Sequence, residues 1–408
     1  MLIKLAFRNI FRNFRRTFFT FIAIAMGLAM MLAMDSLLQG MDTQSFSKII
    51  NYETGHVKIF SYGYQKDKDD LPLNKLIASP EAAIAMINRD PAVAGVTSRI
   101  NFRLMLSDRI DEIPAIGIAV NPADDQAVFQ LKQAVEQGDF LAGSEEAMLI
   151  GDKLAKDFGV GVGDYLTIVA RTKYDTYQAL DLRIKGILRT DDPQIDWFSV
   201  VIPLGMGQRS LDLQDSVSEI DIKLKNINDI DVFKNKLAKE VPGTEVLTWR
   251  DLSEDVIAVS QAKYKAMFTM FLCIVLISLI GISNTILMAA FERTKEIGMM
   301  AAMGMKRNQI VQLFVLEGTM IGLLGSIAGC LIGAALVGLW SVPIGMDFSN
   351  FARAMGPIGY RTTGRFTGEW HTIMFFVAFI FGIAVSALTS IYPAVVASRM
   401  EPSEALRK

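Results

Sequence analysis

Four stretches of this chain are long and apolar enough to cross a membrane, and they fix the architecture before any motif is read. Thr17–Met34 and Ala266–Phe291 carry no charge, Ile310–Met346 is broken only by Glu317, and Thr372–Ser398 is again uncharged. A helix needs roughly 20 apolar residues to cross a hydrocarbon core. Membrane helices are therefore expected over 17–38, 266–291, 310–340 and 372–398. The basic head before the first stretch is of the kind seen in secretory leaders. No small-x-small cleavage site follows it, and a Met-rich run continues, so the stretch reads as a span. Charged residues make up 21% of the 408 and fall mostly outside these stretches, leaving 39–265 as a large soluble insert. The expected fold class is an α-helical membrane protein with four transmembrane helices plus a large α/β domain outside the bilayer.

Lysine and arginine near the span ends set the orientation. Lys4, Arg8, Arg12, Arg15 and Arg16 precede the first span with no acid among them, so segment 1–16 is expected to be cytoplasmic. Four spans return the tail 399–408 to that side, where Arg399, Arg407 and Lys408 sit. The 292–309 connection, with Arg293, Lys295, Lys306 and Arg307, shares it. The large domain and the short loop 341–371 then lie outside, although Arg353, Arg361 and Arg365 in that loop run against the rule. In the leading segment, Leu5, Ile10 or Phe11, Phe14 and Phe18 recur at helical spacing with the arginines on other faces. That is the pattern of an amphipathic helix lying among anionic headgroups. The same charges also suffice to set topology, and the two readings are compatible.

Within 39–265, short β-type runs alternate with amphipathic helical runs, punctuated by Gly, Pro and Asp. Ser79–Ile100 and Asn226–Trp249 repeat one order: a helix (the first capped by Ser79), a proline break and a β-type run. Each follows a strand candidate, His56–Ser61 and Glu219–Leu224. Two such β-α-β units suggest a split α/β sheet sandwich built from 39–120 and 217–265, with 121–216 inserted as a second subdomain. The insertion is expected to open with a helix over Pro122–Glu136. Its run Gly159-Val160-Gly161-Val162-Gly163-Asp164 has a short helix before it and a strand after it. A phosphate loop needs the opposite order, so the run reads as a tight turn.

No catalytic constellation stands out. The two histidines, His56 and His371, have no second His or Cys at ligand spacing, so no metal is expected. There is no G-x-S-x-G elbow, no H-E-x-x-H helix and no G-x-x-x-x-G-K-[ST] loop to bind ATP. The chain is read as non-catalytic and without a cofactor of its own. Its net charge of −2 implies no nucleic-acid partner. Cys273 and Cys330 fall inside apolar stretches, where they act as small hydrophobes and leave the compartment of the insert undecided.

The candidate site is the connection inside Asn284–Gly318, NTILMAAFERTKEIGMMAAMGMKRNQIVQLFVLEG. A span runs into a charged amphipathic turn, which runs into the next span. The turn must therefore lie at the membrane surface, within reach of a soluble partner. In the third span, Gly325, Gly329 and Gly333 recur at four-residue steps and mark a close helix contact, within this chain or with a second one. Glu317, about seven residues into that span, is either a functional buried carboxylate or, as favoured here, a structural partner beside Arg293 or Arg307.

Asn284–Gly318 and the tail Tyr392–Lys408, YPAVVASRMEPSEALRK, are similar to signatures of the MacB/LolC/LolE/FtsX superfamily, the mechanotransmission type of ABC transporter permease. The resemblance spans the whole chain and implies an inner-membrane protein with a porter-like periplasmic domain that carries an inserted part. It implies a dimer of separate ATPase subunits, binding ATP and Mg, that grips the 292–309 coupling helix. A second permease chain, identical or a sister, would stand beside this one in the membrane lipid. On that reading Glu292, Arg293, Lys295 and Glu296, following Phe291, form an ion-pairing face, and Ile297, Met299 and Met300 an apolar plug. The chain lacks the fused ATPase of MacB and has a larger outside domain than FtsX. Its length and the form of Val120–Leu141 resemble LolC/LolE. The resemblance thus implies release of lipoproteins from the inner membrane to a periplasmic carrier. Met26, Met30, Met31 and Met34 would suit an adaptable acyl pocket, or equally ordinary span packing. A MacB-like efflux permease for peptides or small molecules, and an FtsX-like device signalling to a periplasmic hydrolase, stand as alternatives.

Overall fold

The computed structural model describes residues 5–8, 14–143, 145–341, 346–347 and 365–399. Most of the leading segment, of the 341–371 loop and of the tail lies outside the described residues, although 5–8 are helical. The chain divides into two compact units. One comprises Met1–Asp42, Ser260–Asp347 and Phe366–Lys408, the other Thr43–Val259 with Phe348–Arg365.

The first unit is helical. Its elements are α1 (Phe14–Lys48), α2 (Glu254–Glu292), α3 (Thr294–Ala302), α4 (Arg307–Trp340) and α5 (Thr372–Ser398), with α1 and α2 running on past its boundaries. All but α3 are long and apolar enough to cross a membrane. The 39 residues of α2 extend about 58 Å at about 1.5 Å each, against a hydrocarbon core of about 30 Å. The helix therefore overruns the expected 266–291, because no Gly or Pro interrupts the polar stretch Glu254–Lys265.

Helix α4 sits between two neighbours and meets each through glycines. Gly325, Gly329 and Gly333 face α1: a Cβ at Gly329 would lie 2.9 Å from the Ala25 carbonyl oxygen and from Leu28 Cβ. Gly318 and Gly322 face Ser390 and Ser386 of α5. The glycine steps thus seat helices of the same chain, which decides between the two readings left open above. Ile24, Leu28, Ile286, Ile310, Phe314 and Ala394 belong to the apolar core of the unit. At one end Asp35 on α1 lies 3.0 Å from His371, and Asp42 accepts from Lys263 at 2.6 Å and from Ser260. Helix α2 is different, with only 6% of its most apolar window buried.

The second unit is α/β. Its strands are β1 (Val57–Ser61), β2 (Val93–Ser107), β3 (Glu112–Val120), β4 (Val135–Gly138), β5 (Ala147–Gly151), β6 (Tyr165–Arg171), β7 (Tyr177–Leu188), β8 (Ser199–Pro203), β9 (Glu219–Leu224) and β10 (Thr244–Thr248). They join in the order β10-β1-β9-β2-β3-β8-β5-β7-β4, with β6 bridging β2 and β7. A single hydrogen-bonded sheet thus runs through the part expected as porter-like and the part expected as inserted. It crosses between them twice, by the parallel pairing of β3 with β8, Ile116 opposite Ser199 to Val120 opposite Pro203, and by the antiparallel pairing of β2 with β6, Leu104 opposite Ala170 to Ser107 opposite Thr167.

Alternation along the strands gives the sheet two unequal faces. One carries a long core through Ile59, Phe102, Met148, Ile184, Val200 and Ile222. The other has a smaller core, with Val120, Leu149 and Val201, under the inserted part. On β1, β2 and β9 that second face holds Lys58, Arg99, Glu219 and Asp221, all buried.

Three local expectations change. The helix expected over Pro122–Glu136 stops at Val128, because Phe129 turns to extended backbone, is buried, and is followed by a 3₁₀ turn and β4. Ser79 does not cap the next helix. It takes a left-handed φ of 49°, and Glu81–Ile87 starts behind Pro80. The strand expected from His56 begins at Val57. The glycine run is a turn: Gly159 and Gly163 have φ of 67° and 102°, and the Asp164 carboxylate accepts from the Gly161 N–H at 2.8 Å.

Candidate coupling site

The connection between α2 and α4 is a short helix with a sharp entry and exit. Helix α2 ends at Glu292, and the Arg293 N–H turns back to the Ala290 carbonyl at 3.2 Å. Thr294 Oγ1 donates to the Phe291 carbonyl at 2.6 Å, and α3 begins there. At the far end Gly304 takes a φ of 94°, which a side chain would resist. Lys306 is extended, and its N–H donates to Gln309 Oε1 at 2.9 Å to start α4.

This geometry sorts the sequence-predicted residues into two faces. Lys295, Met299 and Met303, four apart, lie on one side with Phe291 and Glu292, and all are exposed, Met303 by 80%. Arg293 and Ile297 point the other way. Ile297 is buried in the core with Ile310, Phe314 and Ala397, and Met300 packs against that core. Arg293 is 6% exposed and its Nη1 lies 3.3 and 3.5 Å from the two oxygens of Glu317 on α4. Three residues expected on the outward surface, Arg293, Ile297 and in part Met300, thus belong to the inner packing. The cause is the turn at Arg293, which offsets the helical phase of α3 from that of α2. Glu296 is half-buried between the faces.

Glu317 is therefore the structural partner favoured from the sequence, and Arg293 rather than Arg307 is its mate. Met303 was missed as an outward residue, although its four-residue step from Met299 carried the signal. On α1, Met26, Met30 and Met34 are exposed and Met31 is half-buried. They do not line the apolar crevice of about 40 Å³ formed by Gly27, Leu28, Phe271, Val275, Phe381 and Gly382. Among the described residues no group of three His, Cys, Asp or Glu is placed to hold a metal.

Ile297 and the buried Arg293–Glu317 pair thus join α3 to α4, while the opposite face of α3 is exposed. The same layout of parts appears in known proteins. Residues 17–240 match the MacB-like periplasmic core domain and residues 268–402 the FtsX-like permease C-terminal domain. The chain belongs to the MacB/LolC/LolE/FtsX family of ABC transporter permeases.

Among its relatives is the lipoprotein-releasing system transmembrane protein LolC of Xylella fastidiosa, 23% identical over 80% of both chains. Another is LolE of Haemophilus influenzae, 20% identical over 95% of this permease and 93% of the relative. The macrolide export ATP-binding/permease protein MacB of Brucella abortus is 25% identical over 62% of this permease but only 36% of its own length. The crystal structure of the periplasmic region of MacB from Actinobacillus actinomycetemcomitans aligns over 51% of the permease and 95% of that region, at 11% identity and a TM-score of 0.36.

Proposed function

We propose that this permease is a non-catalytic subunit that takes work from a separate ATPase and uses it to lift acylated lipoproteins out of the membrane. The observation that carries the first half is the two-faced α3. Its outer face, Phe291, Glu292, Lys295, Met299 and Met303, is uncovered, while its inner face is fastened to α4 by Ile297 and the Arg293–Glu317 pair. Methionines flanked by one acid and one base suit a groove that must grip and shift, since unbranched thioethers adapt to moving surfaces. ATP and Mg belong to the partner. The basic span ends put α3 and both termini on the cytoplasmic side and the α/β domain outside an inner membrane. The nearly uncovered apolar face of α2 suits lipid or a second permease chain.

The second half rests on proportion. The LolC and LolE relatives align over most of their own length, whereas MacB aligns over about a third. The test is purification with the ABC ATPase encoded beside the chain, wild type against Lys295→Glu with Met299→Asp, with mass spectrometry of what accompanies each. The expected result is loss of the ATPase from the variant and acylated lipoprotein in the wild type, released on adding ATP. An ATPase retained undiminished by the variant sinks the coupling face. A periplasmic adaptor or hydrolase in place of lipoprotein keeps the coupling face and overturns the substrate.

A further inference from the structure

The second face of β1, β2 and β9 is charged, and yet it is buried. Lys58 Nζ lies 2.5 Å from Glu219 Oε1 and 3.0 Å from Asp221 Oδ1. Arg99 Nε donates to Asp125 Oδ1 at 2.8 Å, and its guanidinium lies 3.3 Å above the Phe129 ring. A sheet face of this composition is ordinarily left to water. What covers it is the six-residue π-turn Ile49–Thr54, into which α1 runs, together with the helix Pro122–Val128. The cover is fastened at a few points. Arg99 Nη1 donates to the Tyr52 carbonyl at 2.9 Å, the Gln130 N–H to the Asn51 carbonyl at 3.0 Å, and Lys48 Nζ to the Asp191 carbonyl at 2.8 Å.

Two features make this cover releasable. Lifting it hydrates charges, where lifting a helix from the opposite face would expose the long apolar core. The charges are also unbalanced, with three carboxylates (Asp125, Glu219, Asp221) against two cations (Lys58, Arg99), all buried. Among these fully buried groups one negative charge is in excess, half-buried Lys223 and Glu53 lying at the edge, and a proton removes it at least cost. Burial pushes the Asp221 carboxyl up to about 7, and the neighbouring Glu219 charge adds to it. Burial works against Lys58 and Arg99, but Asp221 and Glu219 outweigh it for Lys58 and Asp125 does so for Arg99, so both stay charged. Tyr52 and Glu53 on the turn and Tyr64 line the same cleft, which opens to about 1010 Å³ beside the cluster.

We propose that the turn Ile49–Thr54 and the helix Pro122–Val128 form a proton-held latch over the charged sheet face, shut when Asp221 carries a proton and loosened when it does not. The sign follows from linkage. The shut state holds a proton that the open, hydrated state releases. Closure therefore weakens as pH rises from about 4 to about 7, by roughly tenfold per unit, and is level above.

The test is hydrogen exchange of the full chain in nanodiscs, corrected for intrinsic rate, at several pH values between 5 and 8. Amides of 49–54 and 123–129 are expected to open about 25-fold less often at pH 5.5 than at pH 7.5, with β5 unchanged. Asp221→Asn should keep them slow at both pH values, and Glu219→Gln, which keeps an acceptor for Lys58, should move the midpoint to lower pH. Three results overturn the latch. One is exchange of the cover that follows β5 at every pH. Another is a pH dependence that survives both variants. The third is a dependence abolished by Asp196→Asn instead, since that carboxyl also titrates nearby. Should Asp221→Asn fail to fold, the Glu219→Gln midpoint alone decides.

Discussion

In the helical unit the buried Arg293 pairs with Glu317, whereas in the α/β domain three buried carboxylates crowd around two buried cations. Both sets sit where water is scarce, and both join elements far apart in sequence. The Arg293–Glu317 pair works as a brace between α3 and α4. The unbalanced cluster cannot be satisfied by its own members and must borrow a proton. A buried ion pair is weak evidence of stability but strong evidence of what happens when one partner leaves. The difference lies in stoichiometry, not depth.

The largest effect that would break this contrast is at Arg99. Arg99→Met strands Asp125, adds a second uncompensated negative charge to the cluster and removes the contact with Phe129. Denaturant unfolding of the purified chain should show a loss of about 3–5 kcal/mol. A loss under about 1 kcal/mol would mean the cluster is already hydrated and the contrast false.

Next comes the brace. Arg293→Met alone should destabilise the helical unit by about 2–4 kcal/mol, read as thermal unfolding in detergent, and adding Glu317→Leu should recover most of it. A double variant no better than the single one would show that Arg293 acts through something other than Glu317.

The smallest expected effect sharpens the rule about spare charge. Asp196 is a buried carboxylate near Asp191 and Asp192, and its Oδ1 accepts from the Thr190 N–H at 2.8 Å and the Thr190 hydroxyl at 2.7 Å. Burial pushes it up to about 6 despite these donors. Its folded form holds a proton that the unfolded chain has released, so stability falls as pH rises through about 4 to 6. Asp196→Asn, which keeps the acceptor oxygen, should gain about 1–2 kcal/mol at pH 7.5 and nothing at pH 4. An equal change at both values would remove protonation from the explanation.

Much of the fold was legible because its signals are local. Spans show as uncharged runs, β9 showed as Glu219–Leu224 to the residue, and the glycine turn at 159–163 showed from its flanking elements. What failed depended on distant partners. The helix after Asn121 looked long because nothing nearby ends it. It stops where Phe129 lies under an arginine thirty residues earlier in the chain. The coupling site was half legible. Lys295 and Met299 face outward as expected, but a single turn residue between two helices reset the phase. Arg293 and Ile297, which look the same as their neighbours in the sequence, went inward.

By itself the sequence determined the four long apolar helices, the α/β character of the large insert and the short helix between the second and third of them. These follow from hydropathy, period and short motifs, which act within a few residues. Only the tertiary structure decided that one sheet runs through both parts of the insert and that the glycines of α4 seat α1. It alone decided that Arg293 pairs with Glu317 and that the charged face of β1, β2 and β9 is covered. Each of these is a pairing across about 20 to about 300 residues, and pairing is set by which surfaces meet when the chain closes on itself, not by the order in which the residues are written.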